Sequence, residues 1–354
     1  MNSPGINLFT NTFLRYLLFP LALLYWGIIF WRNLFYTVGF FVSHKLPCQV
    51  VSIGNISLGG TGKTPAVIYL TKLLQSKGNT VAIISRGYGR KTTGTVLVTN
   101  GKILNQTWQN VGDEPYLMAH QLPGVPIIVD ENRYRGGVYL IQHFVPDVII
   151  LDDAFQHRQL ERNLDVVLIN AQDSVNDNKL IPFGRLREPW FHLRRAHLIF
   201  WTKTNLAAPS AALKSRANKL PVPNFTSTME TESVLIGLKD NLPLDKVKGA
   251  TSIAVSAVGD PLGFDRTLTQ GGLKVVAHIR FPDHHEYSAS DIKRLLQKMN
   301  AVHAKYIITT EKDLLKFATL KDAQDLSIYG LVIRFTPSLG GENALLRLLA
   351  NSKS

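Results

Sequence analysis

Lys63 and Thr64 are the residues of this chain best suited to handling a phosphate. They close the stretch Val50-Val51-Ser52-Ile53-Gly54-Asn55-Ile56-Ser57-Leu58-Gly59-Gly60-Thr61-Gly62-Lys63-Thr64-Pro65. An apolar β-branched run leads into a glycine-rich turn, and apolar residues at helical spacing follow at Val67, Leu70, Leu73 and Leu74. Gly59, Gly60 and Gly62, with Thr61 between them, let backbone N–H groups reach phosphate oxygens because no Cβ intervenes. A helix opening at Lys63 turns its positive end to the same anion. In the pattern G-x-x-x-x-G-K-[ST] the lysine reaches the β- and γ-phosphates and the hydroxyl, here Thr64, binds Mg²⁺. Pro65 fits a first helical turn, whose N–H groups are spare. The pattern's first glycine is Ser57 here. The plainer alternative is an ordinary glycine-rich strand-to-helix turn.

Carboxylates supply the second half of such chemistry. Pro146-Asp147-Val148-Ile149-Ile150-Leu151-Asp152-Asp153 reads as a buried strand ending in two acids. A carboxylate at the end of a parallel strand can hold Mg²⁺ directly or through water, or can simply cap the next helix. Which of Asp152 and Asp153 faces a metal stays open at this level. His157, in Gln156-His157-Arg158, is a candidate for a substrate phosphate or for a solvated loop. Asp113 and Glu114 are the first acids of the chain. They suit a helix start with Asp113 as N-cap, which does not exclude a catalytic role. Arg133, Arg135, Arg185 and Arg187 follow apolar stretches, where a guanidinium can fork onto phosphate. His284 and His285 form an adjacent pair, open to a metal-ligand or a substrate-facing reading.

Elements must position these groups. Candidate strands at 49–54, 80–85, 126–129, 147–151, 165–170 and 197–201 alternate with helical stretches such as 65–77 and 114–121, which implies a mainly parallel sheet. Residues 94–105 suggest an inserted hairpin around Asn100-Gly101. The Ala/Pro/Ser/Thr-rich piece 205–235 suggests a linker or hinge ribbon. Strands near 252–258, 274–280, 306–310 and 329–335, with helices near 261–270, 288–302 and 341–351, suggest a second α/β unit. The expected fold is α/β: a P-loop NTPase-like, mainly parallel core over 46–204, a linker over 205–235, and a smaller α/β domain over 236–354.

Residues 1–45 differ in kind. Phe13 to Val42 is almost wholly apolar and aromatic, broken by Arg15, Pro20 and Arg32. The sixteen residues between the arginines span roughly 24 Å as a helix, short of the ~30 Å hydrocarbon thickness. Trp26, Trp31, Tyr16, Tyr25 and Tyr36 suit the headgroup level. The expectation is a membrane-associated helix, broken near Pro20, lying in one leaflet; the alternative is a helix buried in the protein core or a dimer interface. No basic residue precedes Arg15 and no small-residue cleavage site stands out, which argues against a signal peptide. The net charge of +13 is uneven: residues 1–112 hold ten Lys/Arg and no Asp or Glu. That imbalance points to an anionic partner such as a nucleotide, a phosphorylated substrate or an anionic membrane surface. Nucleic acid is the least supported, because no arginine-rich run, RNA-binding signature or zinc-type spacing occurs. The single cysteine, Cys48, excludes an internal disulfide framework and fits a reducing compartment.

Together these blocks resemble the tetraacyldisaccharide 4′-kinases, the lipid A 4′-kinases of Gram-negative bacteria. The resemblance runs over nearly the whole chain, through Val51–Pro65, Ser85-Arg86-Gly87-Tyr88-Gly89-Arg90, Val111–Pro115, Leu151–Arg158, Gly184–Pro189, Phe281–Tyr287 and Thr310-Glu311-Lys312-Asp313. Ala154 stands where the family usually has glycine. The resemblance implies that ATP, with Mg²⁺, phosphorylates the 4′-hydroxyl of a tetraacylated glucosamine disaccharide 1-phosphate in the membrane, giving lipid IV-A, at the cytoplasmic face of the inner membrane. It implies Lys63 and Thr64 on ATP and Mg²⁺, Asp152 and Asp153 at the metal, and Asp113 as base with His284 or His285 in support. His157 and Arg185 would then contact phosphate. Two rivals share the loop. A GTPase would need an Asn-Lys-x-Asp block, which is missing, and a partitioning-type ATPase usually carries a lysine where Leu58 stands.

Overall fold

The computed structural model describes residues 12–352 except 105 and 177, with side chains from residue 18 onward. Helix α1 (Thr12–Thr37) comes first. The core then runs β1 (Gln49–Asn55), α2 (Lys63–Ser76), β2 (Val81–Ser85), β3 (Val96–Asn100), α3 (Trp108–Val111), α4 (Asp113–Gln121), β4 (Pro126–Val129), α5 (Arg133–Phe144), β5 (Val148–Asp152), β6 (Leu164–Asn170) and β7 (Leu198–Thr202). After α6 (Ala211–Asn218) and the long β8 (Asn224–Gly237) come β9 (Leu242–Pro243), β10 (Thr251–Ser256), α7 (Pro261–Gln270), β11 (Lys274–Arg280), α8 (Ala289–Ala301), β12 (Tyr306–Thr310), α9 (Glu311–Phe317), β13 (Ile328–Pro337) and α10 (Leu339–Asn351).

All strands join one sheet in the order β11-β10-β12-β13-β8-β7-β6-β1-β5-β2-β4-β3, with β9 on β8. The central strands β1 and β5 pair in parallel and are buried along their whole length. Their unbroken Val/Ile/Leu runs are what a parallel strand covered on both faces requires. The phosphate loop and the Asp152–Asp153 pair therefore leave adjacent strands at the same edge.

Two expectations are corrected. Residues 205–235 are not a loose linker: they contain α6 and most of β8. That strand pairs parallel with β7 over Asn224–Thr226, then antiparallel with β13 over Ser227–Gly237, and so welds the two halves into one sheet. Its alternation of Thr, Ser and Glu with Phe, Met and Leu matches a half-exposed strand, a pattern that its composition disguises. The expected hairpin at 94–105 is the edge strand β3, antiparallel to β4, with a bridge from Thr99 to Leu104; its end at residue 105 lies outside the described residues.

Helix α1 runs through Pro20 unbroken. Proline deletes one intrahelical hydrogen bond, and the other turns carry the helix across. Its faces are unequal. Ala22 and Ile29 are buried, whereas Phe19, Leu21, Leu23, Leu24, Ile28 and Trp31 are exposed. The Arg32 guanidinium donates to the Gln156 carbonyl. Tyr25 donates to the Arg187 carbonyl at 2.8 Å and Tyr36 sits under the Arg158 guanidinium. Both tyrosines thus face protein, while Trp26 and Trp31 remain outward. The Arg15 and Tyr16 side chains lie outside the described residues.

Candidate active site

A cavity of about 1280 Å³ opens where the two halves of the sheet meet. The phosphate loop forms its floor. Gly59 (φ 108°) and Gly62 (φ 85°) adopt left-handed backbone, and a Cβ would strike the Arg185 guanidinium at the first and the Met229 methyl at the second. Ser57 has no such demand. It bridges Leu186 in extended backbone and is absent from the non-glycine residues with positive φ, so the pattern's missing glycine costs nothing there. Ala154 is likewise absent from that set. Asn55 Nδ2 donates to the Thr61 hydroxyl at 3.0 Å, and Thr202 donates to the Thr61 carbonyl at 2.9 Å, which fixes the loop from β1 and β7.

The acid pair is electrostatically split. Asp152 is buried and accepts from the Ser85 hydroxyl at 2.8 Å. Burial, then the neighbouring Asp153 charge, push its carboxyl up to about 6. For Asp153, burial acts in the same direction but loses to the Lys63 and Arg187 charges, and its carboxyl is pulled below the usual range. Arg187 Nη1 holds both its oxygens, at 3.1 and 2.9 Å, and Lys63 Nζ stands 3.7 Å away. Asp152 is thus the carboxylate still short of a counter-charge. With the Thr64 hydroxyl it offers hard oxygen donors where a cation would restore the ionised form. One or two carboxylates suffice for Mg²⁺, which takes its remaining ligands from phosphate and water. The residues present fit that ion.

The second half of the molecule brings its own groups to the cavity. His284, in left-handed backbone (φ 62°), lines the wall and places Nδ1 3.2 Å from Asp113 Oδ2. The Asp113 hydrogen bond raises its pKa. Asp113 is 5% exposed and sits behind His284. It is not a helix cap: Gly112 is the N-cap of α4 and Asp113 the first helical residue, so the capping expectation is corrected. Burial opposes the ionised form of Asp113, but the His284 hydrogen bond and the Lys312 and Lys316 charges override it and hold the carboxyl well below its ordinary value. His285 does not join this pair. Its Nε2 faces Asp291 at 3.1 Å and its ring stacks on Phe281. The two histidines thus face different carboxylates, Asp113 and Asp291, and do not converge on one point; no cluster of three or more His, Cys, Asp or Glu that could hold a metal occurs among the described residues.

His157 and Arg185 both line the cavity. The His157 Nε2 atom is buried without a hydrogen-bond partner among the described residues. Burial, then Arg133 and three further arginines, push its pKa down to about 4. Ser85 and Lys312 line the cavity and Lys316 lies behind Asp113, three residues that motif reading passed over, while Arg133 and Arg187 were candidates without an assigned partner. Most lie inside or one turn beyond the blocks already quoted; the signal was present as position, without anything to rank one arginine above another. The same holds for Lys203 and Asp260, an ion pair from opposite halves that meets beside Gly60.

A glycine-rich loop ending in Gly-Lys-Thr, an acid pair on the adjacent strand and a His–Asp pair across the cleft define a P-loop phosphotransferase. The chain belongs to the tetraacyldisaccharide-1-P 4′-kinase family, LpxK, whose model matches residues 14–352. The tetraacyldisaccharide 4′-kinase of Aquifex aeolicus (strain VF5) is 39% identical over 303 residues, 86% of this chain and 90% of that one. The enzyme of the same name from Desulfotalea psychrophila (strain LSv54) is 35% identical over 339 residues, 94% of this chain and 96% of that one. The crystal structure of Aquifex aeolicus LpxK in complex with ATP matches with a TM-score of 0.79 at 35% identity, covering 96% of this chain and all of that one. The GTPase and partitioning-ATPase alternatives are not favoured.

Proposed function

We infer that this chain transfers the γ-phosphoryl group of ATP to the 4′-hydroxyl of a tetraacylated glucosamine disaccharide 1-phosphate, giving lipid IV-A in lipid A biosynthesis. The observation that carries the reading is convergence: the phosphate loop, the Asp152–Asp153 pair and His284, backed by Asp113, meet at one cavity whose rim includes α1. The reaction forms one bond from the sugar oxygen to the γ-phosphorus and breaks the β–γ bridging bond, releasing ADP and the hydroxyl proton.

Loop N–H groups and Lys63 hold the phosphates and offset charge as it shifts toward the leaving oxygen. Asp152 and the Thr64 hydroxyl, with Asp153 beside them, would hold Mg²⁺, which when bound supplies charge neutralisation at the phosphates. The His284–Asp113 pair receives the hydroxyl proton. His284 is its cavity-facing member, and Asp113 orients the ring through Nδ1 and stabilises the imidazolium that results. Phosphoryl transfer depends chiefly on positioning and charge, so a modest base suffices. Arg185 and His157 contact phosphate groups of the two substrates.

The acceptor's acyl chains lie in a bilayer, and α1 brings the cavity to them. Its docked face is hydrogen-bonded to the cavity wall, and its opposite face is apolar and exposed. The helix lies in one leaflet of the inner membrane at its cytoplasmic face, where the acid-free, basic first third favours an anionic surface. The deciding assay supplies the purified protein with γ-labelled ATP, Mg²⁺ and the acylated disaccharide 1-phosphate. Label on the 4′-oxygen supports the reading. ATP turnover indifferent to the acceptor sinks it.

A further inference from the structure

Lys316 is a buried cation that the reaction just described does not use. It lies on α9 in the second half, is 1% exposed, and is absent from the cavity lining, so it reaches no phosphate. Its Nζ is nevertheless fully engaged. It stands 2.6 Å from Asp113 Oδ2, donates to the His285 carbonyl at 3.0 Å, and sits over the Trp108 ring at 5.1 Å. Burying an ammonium is unfavourable unless a well-placed partner offsets it. Here the partner is a carboxylate on α4, in the other half of the molecule.

We propose that Lys316 is a positioning residue for phosphoryl transfer: it pins and keeps ionised the Asp113 carboxylate that orients His284. Three observations carry this. First, Lys316, His284 and Lys312 all approach Asp113 through Oδ2, at 2.6, 3.2 and 3.7 Å, with Lys316 the nearest. Second, the ammonium is anchored independently of Asp113, by the carbonyl of the residue following His284 and by Trp108. The same contact therefore sets the carboxylate relative to the histidine loop. Third, both partners of Asp113 that touch it most closely come from the second half, so docking of the halves assembles the His–Asp pair. The remaining charged groups around the pair are Glu114 on α4, Asp283 before His284, and Lys312 on α9, which also reaches Asp283 at 3.2 Å and Glu114 at 4.0 Å.

The proposal rests on the reading of the His284–Asp113 pair as proton acceptor, and the experiment separates the two. Lys316→Met keeps the length and removes the charge. It is expected to lower kcat about 10²-fold, the scale of a displaced catalytic group, with the KM for ATP unchanged within about twofold. Without the ammonium, Asp113 acts on His284 uncompensated and favours the imidazolium. The acid limb of the rate therefore moves up by about one pH unit, the size of a neighbouring-charge effect. A merely structural lysine would lower the melting temperature and leave that limb in place. In an Asp113→Asn background, Lys316→Met should cost no further kcat, because residues acting as a unit are not additive. That double variant leaves neither charge buried unpaired, so it decides the matter even if Lys316→Met alone does not fold. A folded Lys316→Met enzyme with the wild-type kcat and limb overturns the proposal, as does a full additional loss in the double variant. If Asp113→Asn is itself silent, the reading of the His–Asp pair falls; if it is damaging and Lys316→Met is silent, only the role of Lys316 falls.

Discussion

Lys63 stands 3.7 Å from Asp153, a carboxylate that Arg187 also holds. Replacing Lys63 by Ala therefore leaves Asp153 with a counter-charge, and the fold should survive. Turnover should fall by about three orders of magnitude, because a fixed charge on the transferring phosphoryl group is lost. A thermal melt and a steady-state assay check this together; a folded variant at wild-type rate would take Lys63 out of the mechanism. Asp113 does not cap its helix, so Asp113→Asn tests its charge and its ion pair with Lys316. Turnover should drop roughly 10²–10⁴-fold. Stability should drop too, by a few kcal/mol, because Lys316 stays buried without its counter-charge. His284 carries the pH sign. As a base it must be neutral, and its pKa is raised by the Asp113 hydrogen bond, so wild-type kcat should fall with decreasing pH through a value above ~6.5. Asp113→Asn should move that limb downward, read from rates across pH 5 to 9. At this scale the sequence was legible where one residue type at one spacing has one use, as in Gly-Lys-Thr. It was opaque where chemistry depends on facing: Arg187 rather than a neighbouring arginine holds Asp153, and only coordinates separate His284 from His285.

Helix α1 is held by polar contacts at helical spacing. Tyr25, Arg32 and Asn33 bond to the Arg187 carbonyl, the Gln156 carbonyl and the Glu188 carboxylate, the last at 3.2 Å. Glu188 keeps His192 and Arg195 as partners without the helix, at 2.6 and 2.9 Å. Deleting residues 1–43 should therefore leave a folded, more soluble protein that still binds ATP. Activity on bilayer-presented acceptor should collapse, and so should co-flotation with anionic vesicles. An insoluble truncation without ATP affinity would make α1 a core helix instead. The hydrophobic run gave away the element, but not its sidedness. An internal proline suggested a broken helix, whereas α1 runs through Pro20 and Arg32 is spent on the protein. The α/β alternation from β1 to β7 was readable because buried parallel strands are near-continuous Val/Ile/Leu runs. The strand β8 was not, because a half-exposed strand rich in Thr, Ser and Glu has the composition of a linker.

One sheet passes through both halves of the molecule, and β8 is the strand they share. Relative motion of the halves must therefore strain β8, which limits closure over the nucleotide to bending and to the contacts flanking the cavity. The Lys203–Asp260 ion pair is one such contact, and Glu311 is the centre of another. Glu311, on α9, bonds to Gln121 of α4, stands 3.6 Å from Arg334 of β13, and is 11% exposed on its side chain. Burial pushes its carboxyl up to about 7, against the pull of Arg334. The sign follows from linkage. A carboxyl with a folded pKa above its unfolded value contributes stability below ~4.3, and that contribution is lost as pH rises through about 7. Glu311→Gln retains the shape and a partner for Gln121 and removes the ionisation, while Arg334 keeps Glu232. The variant should melt higher than wild type at pH 8, by the equivalent of roughly 1–3 kcal/mol. At pH 4, below the pKa of the carboxyl in both the folded and the unfolded chain, the two should melt together. Melting curves at the two pH values settle it: an equal offset at both would mean that Glu311 acts through packing alone, and a lower melting point at pH 8 would mean that its ion pair with Arg334 outweighs burial.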